Sequence, residues 1–361
     1  MLGGTLARYF GMRFLGAAAA VFGGIFMLIV LVDYVEMTRQ ASKVPNASAL
    51  LVAQISLFRV PQVTERIIPF AVLIGAMVCY LTLSRRLELV VARAAGISAW
   101  QFVAPAIVVA LLMGAAATMI YNPISANLRE YSKRLEADLF GERTGPQVDA
   151  GFWVSQRDGD GQALINAAAS RNQGAILDGV TVLTFDAAGR FRERIEAKTA
   201  ELDAGYWRLK DVVVYAIGVP PRQHGTYQLT TTLTPEQVRE SFATPETVSF
   251  WNLRQYIELA ENAGLAAAGY RLQYQLLLAR PFLLAAMVIL AASVSLRFFR
   301  FGGVTRMILS GVIAGFLLYV LSKVTEDVSR ADLMHPVAAA WLPVLAGGLT
   351  GFLALLHMED G

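Results

Sequence analysis

The sequence predicts an α-helical membrane protein of six transmembrane helices, three before and three after an inserted all-β domain. Three observations carry this prediction. Of 361 residues, 55% are apolar and only 16% are charged, against roughly 25% in an average soluble chain. Six charge-free apolar stretches reach or approach the roughly 20 residues that cross a bilayer. Between the third and fourth of them lies a long polar segment built of short, β-branched runs.

The apolar stretches are residues 14–32, 67–83, 99–128, 281–296, 307–322 and 333–358. The two longest take in interfacial residues, and the fourth begins near Leu276. The first follows Arg8 and Arg13 and so imitates a signal peptide. It is longer than a typical h-region of about 7–15 residues and runs into Asp33, Tyr34, Val35 and Glu36 rather than a small-residue cleavage site. It is expected to stay as the first span. An even number of spans puts both termini on one side. With that side cytoplasmic, Arg8, Arg13, Arg85, Arg86, Arg93, Arg297, Arg300 and Arg306 fall in short inner segments with almost no acid, as the positive-inside rule favours. The outer short segments mix Arg39, Lys43, Arg59, Arg66, Lys323 and Arg330 with Asp33, Glu36, Glu65, Glu326, Asp327 and Asp332.

The chain thus divides into residues 1–128, an insert over 129–275, and 276–361. The insert is long enough for a domain of its own, and the same orientation places it outside the cytoplasm. Residues 180–185 form a β-branched, aromatic run. Asp186-Ala187-Ala188-Gly189 is a turn signal, and residues 191–197 alternate, with Phe191, Ile195 and Ala197 on one side. Residues 207–215 and 226–233 add further strands around Pro220-Pro221, and the spacing suggests a sandwich or jelly roll. Helix returns over 252–263. Cys79 is the single cysteine, so no intrachain disulfide can staple this insert.

Several functions are excluded. No lysine follows a glycine anywhere, so there is no P-loop. The histidines, His224, His335 and His357, form no zinc-binding spacing. A net charge of +3 is too small to argue for nucleic acid. Charge is absent from the span centres, against a proton relay. No metal or cofactor is expected, and any work must be driven by a partner. Two other readings compete with a transporter. A membrane-anchored enzyme acting on envelope lipids would use Glu326 or Asp327 with His335. A non-transporting assembly factor would only present the β domain.

The clearest local signal is residues 84–98, Ser-Arg-Arg-Leu-Glu-Leu-Val-Val-Ala-Arg-Ala-Ala-Gly-Ile-Ser. Leu87, Val90, Val91, Ala94 and Ala95 share one face of a helix, Ser84 is a plausible N-cap, and Gly96 is a C-terminal stop. The periodicity fits equally a helix resting on anionic headgroups and one docking a cytoplasmic partner through Glu88. This segment, with Val60-Pro61, Ile68-Pro69-Phe70, Leu73-Ile74-Gly75-Ala76, the run 270–275 and Arg280-Pro281-Phe282, resembles the LptF/LptG family, the permease subunits of the lipopolysaccharide exporter. The likeness covers essentially the whole chain and is greater to the LptG side.

The resemblance implies a bacterial inner-membrane permease, not itself an enzyme, that extracts lipopolysaccharide. It implies pairing with the paralogous permease LptF on a dimer of the ATPase LptB, and a periplasmic β-jellyroll whose apolar interior passes lipid to the bridge of LptC and LptA. Residues 84–98 match the family's coupling helix, with Arg85, Arg86, Glu88, Ala92 and Gly96 at the ATPase contact and Glu88 facing an ATPase arginine. Anionic lipid phosphates call for cations at the outer headgroup level. Arg39, Lys43, Arg129, Lys133, Arg134 and Lys323 stand there, although each also serves as an ordinary interfacial anchor. Asp33 and Glu36 weaken the first two and favour the cluster after span three. Phe152, Val154, Val182, Phe185, Phe191 and Ile195 are the candidates for the lipid path through the insert. In the family, spans one and five form the interface between permeases, and Gly311-x-x-x-Gly315 in span five serves either that interface or packing within the subunit.

Overall fold

The computed structural model describes residues 4–42, 44, 48–140, 152–158, 161–171, 176–186, 189–203, 205–216, 218–231, 245–262, 267–299 and 303–359. Two compact units emerge, one of residues Met1–Ser132, Ser249–Trp251 and Arg271–Gly361, the other of Lys133–Val248 and Asn252–Tyr270. The first is helical and the second carries the sheet.

The helical unit begins with α1 (Gly4–Ala41), α2 (Ala49–Glu65), α3 (Ile68–Arg85) and α4 (Glu88–Ala94). Next come α5 (Ala99–Ala116) and α6 (Asn122–Phe140), joined without a break by a turn of π-helix, Ala117–Tyr121. After the sheet, α7 (Phe250–Asn262) leads to α8 (Ala268–Phe299), α9 (Val304–Arg330) and α10 (Pro336–Glu359). Among the described residues, six segments are long and apolar enough to span a membrane: Gly4–Ala41, Ile68–Arg85, Ala99–Glu136, Ala268–Leu296, Val304–Arg330 and Pro336–His357. These coincide with the six expected spans. The first helix is much longer than its apolar stretch, and α2 is a further helix that the pattern of long apolar runs had no means to show.

The spans pack where side chains are smallest, as lipid-embedded helices do. A Cβ at Gly75 would lie 2.5 Å from the Ala18 Cα, so α1 and α3 touch backbone to backbone. One at Gly114 would overlap the Pro281 backbone, which fixes the crossing of α5 with α8. Gly351 packs on Ile289 and Leu290 of α8, and Gly347 on Leu318 of α9. Gly311 and Gly315 are filled by Met77 and Leu73 of α3, so the Gly-x-x-x-Gly ridge serves packing within the subunit. α8 is the central post: Leu284, Val288, Ala291 and Ala292 are fully buried.

The second unit holds a six-stranded antiparallel sheet of β1 (Phe152–Asp158), β2 (Gly161–Arg171), β3 (Ile176–Phe185), β4 (Phe191–Asp203), β5 (Tyr206–Ala216) and β6 (Arg222–Thr230). The expected β domain is present, with helix at both ends of the range 129–275. Its strand order follows the sequence, a meander, and among the described residues there is no Greek-key crossover, since two to five residues separate each strand from the next. Asp186 shows why one such turn forms: its carboxylate accepts from the Arg190 backbone N–H at 2.9 Å.

A crease crosses the sheet. Asp178 pairs with Thr199 and Val180 with Ala197; Thr199 pairs with Lys210 and Ala197 with Val212. The registers therefore step over Gly179, Lys198 and Asp211 in a line, and Gly179 (φ +61°) and Asp211 (φ +54°) are left-handed there. The buried positions change parity across that line: Leu177 then Val180 and Val182, Ile195 and Ala197 then Ala200 and Leu202, Leu209 then Val212. One left-handed residue resets which face the side chains take, so both halves deliver apolar residues to one cluster.

Candidate functional site

The segment 84–98 folds differently from its periodicity in one respect. Ser84 does not cap the short helix: it lies buried inside α3, and Leu87, at φ +62°, makes the turn that starts α4. α4 ends where expected, at Gly96 (φ +81°), with the Ile97 N–H donating to the Ala92 carbonyl at 3.1 Å. Ser98 then caps α5 through a reciprocal pair with Gln101, at 3.3 and 3.2 Å.

The buried side of α4 is Leu89 and Ala92. The five-residue apolar face read from the sequence points outward instead, with Leu87, Val90 and Val91 exposed at 58, 42 and 67%. The reason is the left-handed turn at Leu87, which rolls the helix relative to the end of α3. Arg85, Arg86, Arg93 and Gly96 are exposed beside that face. α4 thus presents an apolar outer stripe edged by cations.

Glu88 is held in place by the first span. The Tyr9 hydroxyl donates to Glu88 Oε2 at 3.0 Å, and Arg13 Nε donates to the Tyr9 hydroxyl at 3.1 Å. The Arg13 guanidinium also covers the Tyr9 ring, 5.2 Å from its centre. The sequence pattern drew attention to Glu88 but not to Tyr9, because nothing local links residues 79 positions apart.

At the other end of the spans the basic candidates separate. Arg39 is neutralised by Glu36, at 2.8 and 2.9 Å, and that carboxylate also accepts from Gln40. Lys323 pairs with Asp327 at 3.1 Å and lies 3.8 Å from Glu326. Lys43 lies outside the described residues. Arg129, Lys133 and Arg134 all fall on α6; Arg129 donates to Ser132 Oγ at 3.5 Å, and Lys133 and Arg134 are exposed.

A buried polar hub was missed altogether in the sequence. Glu65, 6% exposed, pairs with Arg280. It also accepts from Asn122 Nδ2 at 2.9 Å and from Ser125 Oγ at 2.7 Å. Asn122 Oδ1 in turn accepts from the Phe250 backbone N–H at 2.8 Å. Tyr121 donates to the Pro61 carbonyl at 3.0 Å, and Thr118 to the Leu277 carbonyl at 2.9 Å. The π-turn puts these consecutive side chains on the faces they need. The available signal was an arginine, Arg280, beside the proline that opens an apolar span, where an unpaired charge is costly.

In the β unit, Val182 and Ile195 are register partners and fully buried in the single apolar cluster. Phe185 and Phe191 sit at the hairpin end, with ring centres 6.0 Å apart, and Phe191 is 39% exposed. Phe152 and Val154 lie on β1, pairing with Ala167 and Ile165; their side chains are outside what is described. Burial, and the Glu193 carboxylate beside it, push the Tyr227 hydroxyl above the usual phenol range.

The residues of the enzymatic reading do not assemble. Glu326 pairs with Arg330 at 2.6 Å and Asp327 with Lys323. His335 Nδ1 accepts from the Val337 backbone N–H at 3.3 Å, at the start of α10. Among the described residues, no hydrogen bond joins His335 to either acid.

Comparison with known proteins agrees with this architecture. Residues 8–357 match the profile of the lipopolysaccharide export system permease LptF/LptG family. The chain is similar to the lipopolysaccharide export system permease protein LptG of Escherichia coli (strain K12), 24% identical over 353 residues that make up 94% of each chain. It is similar also to the protein of the same name from Haemophilus influenzae strain Rd, 23% identical over 354 residues, 94% of this chain and 95% of that one.

Proposed function

This chain belongs to the LptF/LptG family and is a multi-pass inner-membrane permease of the lipopolysaccharide export system, homologous to LptG; from that premise we propose how its parts divide the work. The subunit is not itself catalytic. An LptB dimer hydrolyses ATP in the cytoplasm and pushes on α4, whose exposed apolar stripe and flanking arginines supply the docking surface. Both termini are cytoplasmic and the β unit is periplasmic, in line with the acid-poor arginine clusters at Arg8–Arg13 and Arg85–Arg93.

Glu88 carries this reading. It is an acid at the first turn of the exposed lever, it faces an ATPase arginine in the family, and its hydrogen bond to Tyr9 passes any displacement directly to α1. LptF covers the exposed apolar sides of α1 and α9, where Leu28, Leu31, Phe316 and Leu317 are 57–64% exposed. Lipopolysaccharide phosphates engage the basic cluster Arg129, Lys133 and Arg134 on α6 through charge-assisted hydrogen bonds. Its acyl chains then follow the apolar cluster of the sheet, through Val182 and Ile195, toward LptC and LptA. ATP stays with LptB; this chain needs no cofactor or metal of its own.

The test is to replace Glu88 in the assembled transporter. Glu88→Lys should abolish co-purification of the ATPase and lipid release, and Glu88→Ala should weaken both, while membrane insertion stays normal. Full assembly and transport in both variants would reject α4 as the point where force enters.

A further inference from the structure

A cavity of about 310 Å³ opens between α1 and α3, at the end of the spans where α4 begins. Arg13 and Arg86 line it together with Gly16, Ala17, Cys79 and Leu83. Its origin is local: a Cβ placed on Gly16 would meet nothing within 4 Å, whereas two residues further along α1 the two helices are in backbone contact at Ala18 and Gly75. The two helices are pinned above and held apart below.

The lining is amphipathic. The wall is formed by Gly16, Ala17, Cys79 and Leu83, the last two buried. The cations stand one turn out along each helix. Arg13 spends Nε on the Tyr9 hydroxyl, which leaves both terminal nitrogens to donate elsewhere. Arg86 has no side-chain hydrogen bond or ion pair among the described residues. The lining holds two guanidinium groups and no carboxylate, and the nearby Glu88 is engaged by the Tyr9 hydroxyl; such cations above an apolar wall at the edge of two membrane spans match a phosphodiester with an acyl chain attached. Basic pockets between spans on the cytoplasmic side hold anionic headgroups for the same reason, and guanidinium planes suit phosphate oxygens.

We propose that this cleft binds an anionic phospholipid of the cytoplasmic leaflet, its phosphate on Arg13 and Arg86 and the start of an acyl chain against Gly16 and Leu83. The site is separate from the outer basic residues and from the sheet. It also lies one side chain from the lever. Arg13 holds Tyr9, and Tyr9 holds Glu88, so an occupied cleft fixes the orientation of the acid that meets the ATPase. A free phosphate would satisfy the cations but leave the apolar wall wet, which is why the lipid is the favoured source.

The placement in the cytoplasmic leaflet rests on the orientation proposed above; binding itself does not. Native mass spectrometry of the full-length chain released from detergent micelles reads binding with no sidedness involved, so its outcome is independent of that orientation. Delipidated protein is supplied with phosphatidylglycerol, phosphatidylcholine or inorganic phosphate. Phosphatidylglycerol should be retained about tenfold more than phosphatidylcholine, the scale of one lost charge-assisted hydrogen bond, and phosphate should not displace it. Gly16→Leu fills the cleft without removing charge, and the pair Arg13→Gln/Arg86→Gln removes charge without filling it. Each should erase the preference, with the melting temperature of Gly16→Leu as the check that the fold is intact. Equal retention of the two lipids, or retention unchanged in both variants, overturns the proposal; displacement by phosphate would reassign the cleft to a free anion.

Discussion

Glu65 and Arg280 stand 215 residues apart in the chain and form an ion pair whose side chains are only 6% and 14% exposed. The pair ties α2 to α8, and through Asn122 and Ser125 to the helix after the π-turn. Both carboxylate oxygens of Glu65 accept hydrogen bonds, Oε1 from Asn122 and Arg280 and Oε2 from Ser125. Removing one partner of such a pair leaves the other buried and uncompensated, which costs about 3–5 kcal/mol. Glu65→Ala should therefore melt far below wild type in detergent micelles. Glu65→Gln, which keeps one acceptor for Asn122 or Ser125, should fall between them. A Glu65→Ala protein with an unchanged melting temperature would mean that the hub contributes nothing to the helical unit.

Gly75 and Gly114 make a second test of how the spans are held. Neither position has room for a methyl group, since the obstacle in each case is the backbone of the facing helix and not a side chain that can swing away. Gly75→Ala and Gly114→Ala should each destabilise the bundle by about 1–3 kcal/mol, the usual cost of overpacking. Gly24→Ala, at a position with nothing within 4 Å, should be neutral in the same thermal measurement.

Tyr9 should matter to coupling more than to folding. Tyr9→Phe keeps the ring beneath Arg13 and deletes only the hydroxyl that donates to Glu88. Both residues are partly solvent-accessible, so the stability change should stay within about 1 kcal/mol. Lipid release per ATP hydrolysed should nonetheless fall, because Glu88 is no longer fixed to α1. Measuring ATPase turnover and release together in the reconstituted transporter separates the two effects. An unchanged ratio would show that the hydrogen bond plays no part in transmission.

The six spans were legible because hydrophobic length is a one-dimensional signal. The end of the lever was legible because Gly96 announces its own local geometry; its start was not, since the expected cap, Ser84, is buried inside α3. The roll of α4 was not, because the left-handed turn at Leu87 is imposed by the way α3 ends against its neighbours, and leucine carries no preference for it. Tyr9, Glu65 and Arg280 were invisible as site residues since their partners are distant in sequence. In the sheet, the alternation of residues 191–197 groups Phe191, Ile195 and Ala197 on one side; Ile195 and Ala197 are buried while Phe191, at the hairpin end, is exposed, and the pattern could not be carried through Lys198. The parity change there depends on Gly179 and Asp211 in neighbouring strands.

That crease yields the last prediction. Gly179 and Asp211 both sit in the left-handed region, and the two are not equivalent. At Gly179 a side chain would bring its Cβ to 3.0 Å from the Ala168 Cβ as well as bear the conformational cost. Gly179→Val should destabilise the β unit by about 2 kcal/mol, combining left-handed strain with a steric push. Asp211 is exposed, and its left-handed φ is tolerated rather than free. Asp211→Gly removes that strain but loosens the unfolded chain, so its net effect should be small, within about 1 kcal/mol. Asp211→Val, β-branched at the same φ, should behave like Gly179→Val. Limited proteolysis of the full-length protein, following the strands around Trp207, ranks the three. If Asp211→Val resists cleavage as well as Asp211→Gly does, the left-handed conformation is not what turns the apolar side chains of both halves to one face, and the crease has another cause.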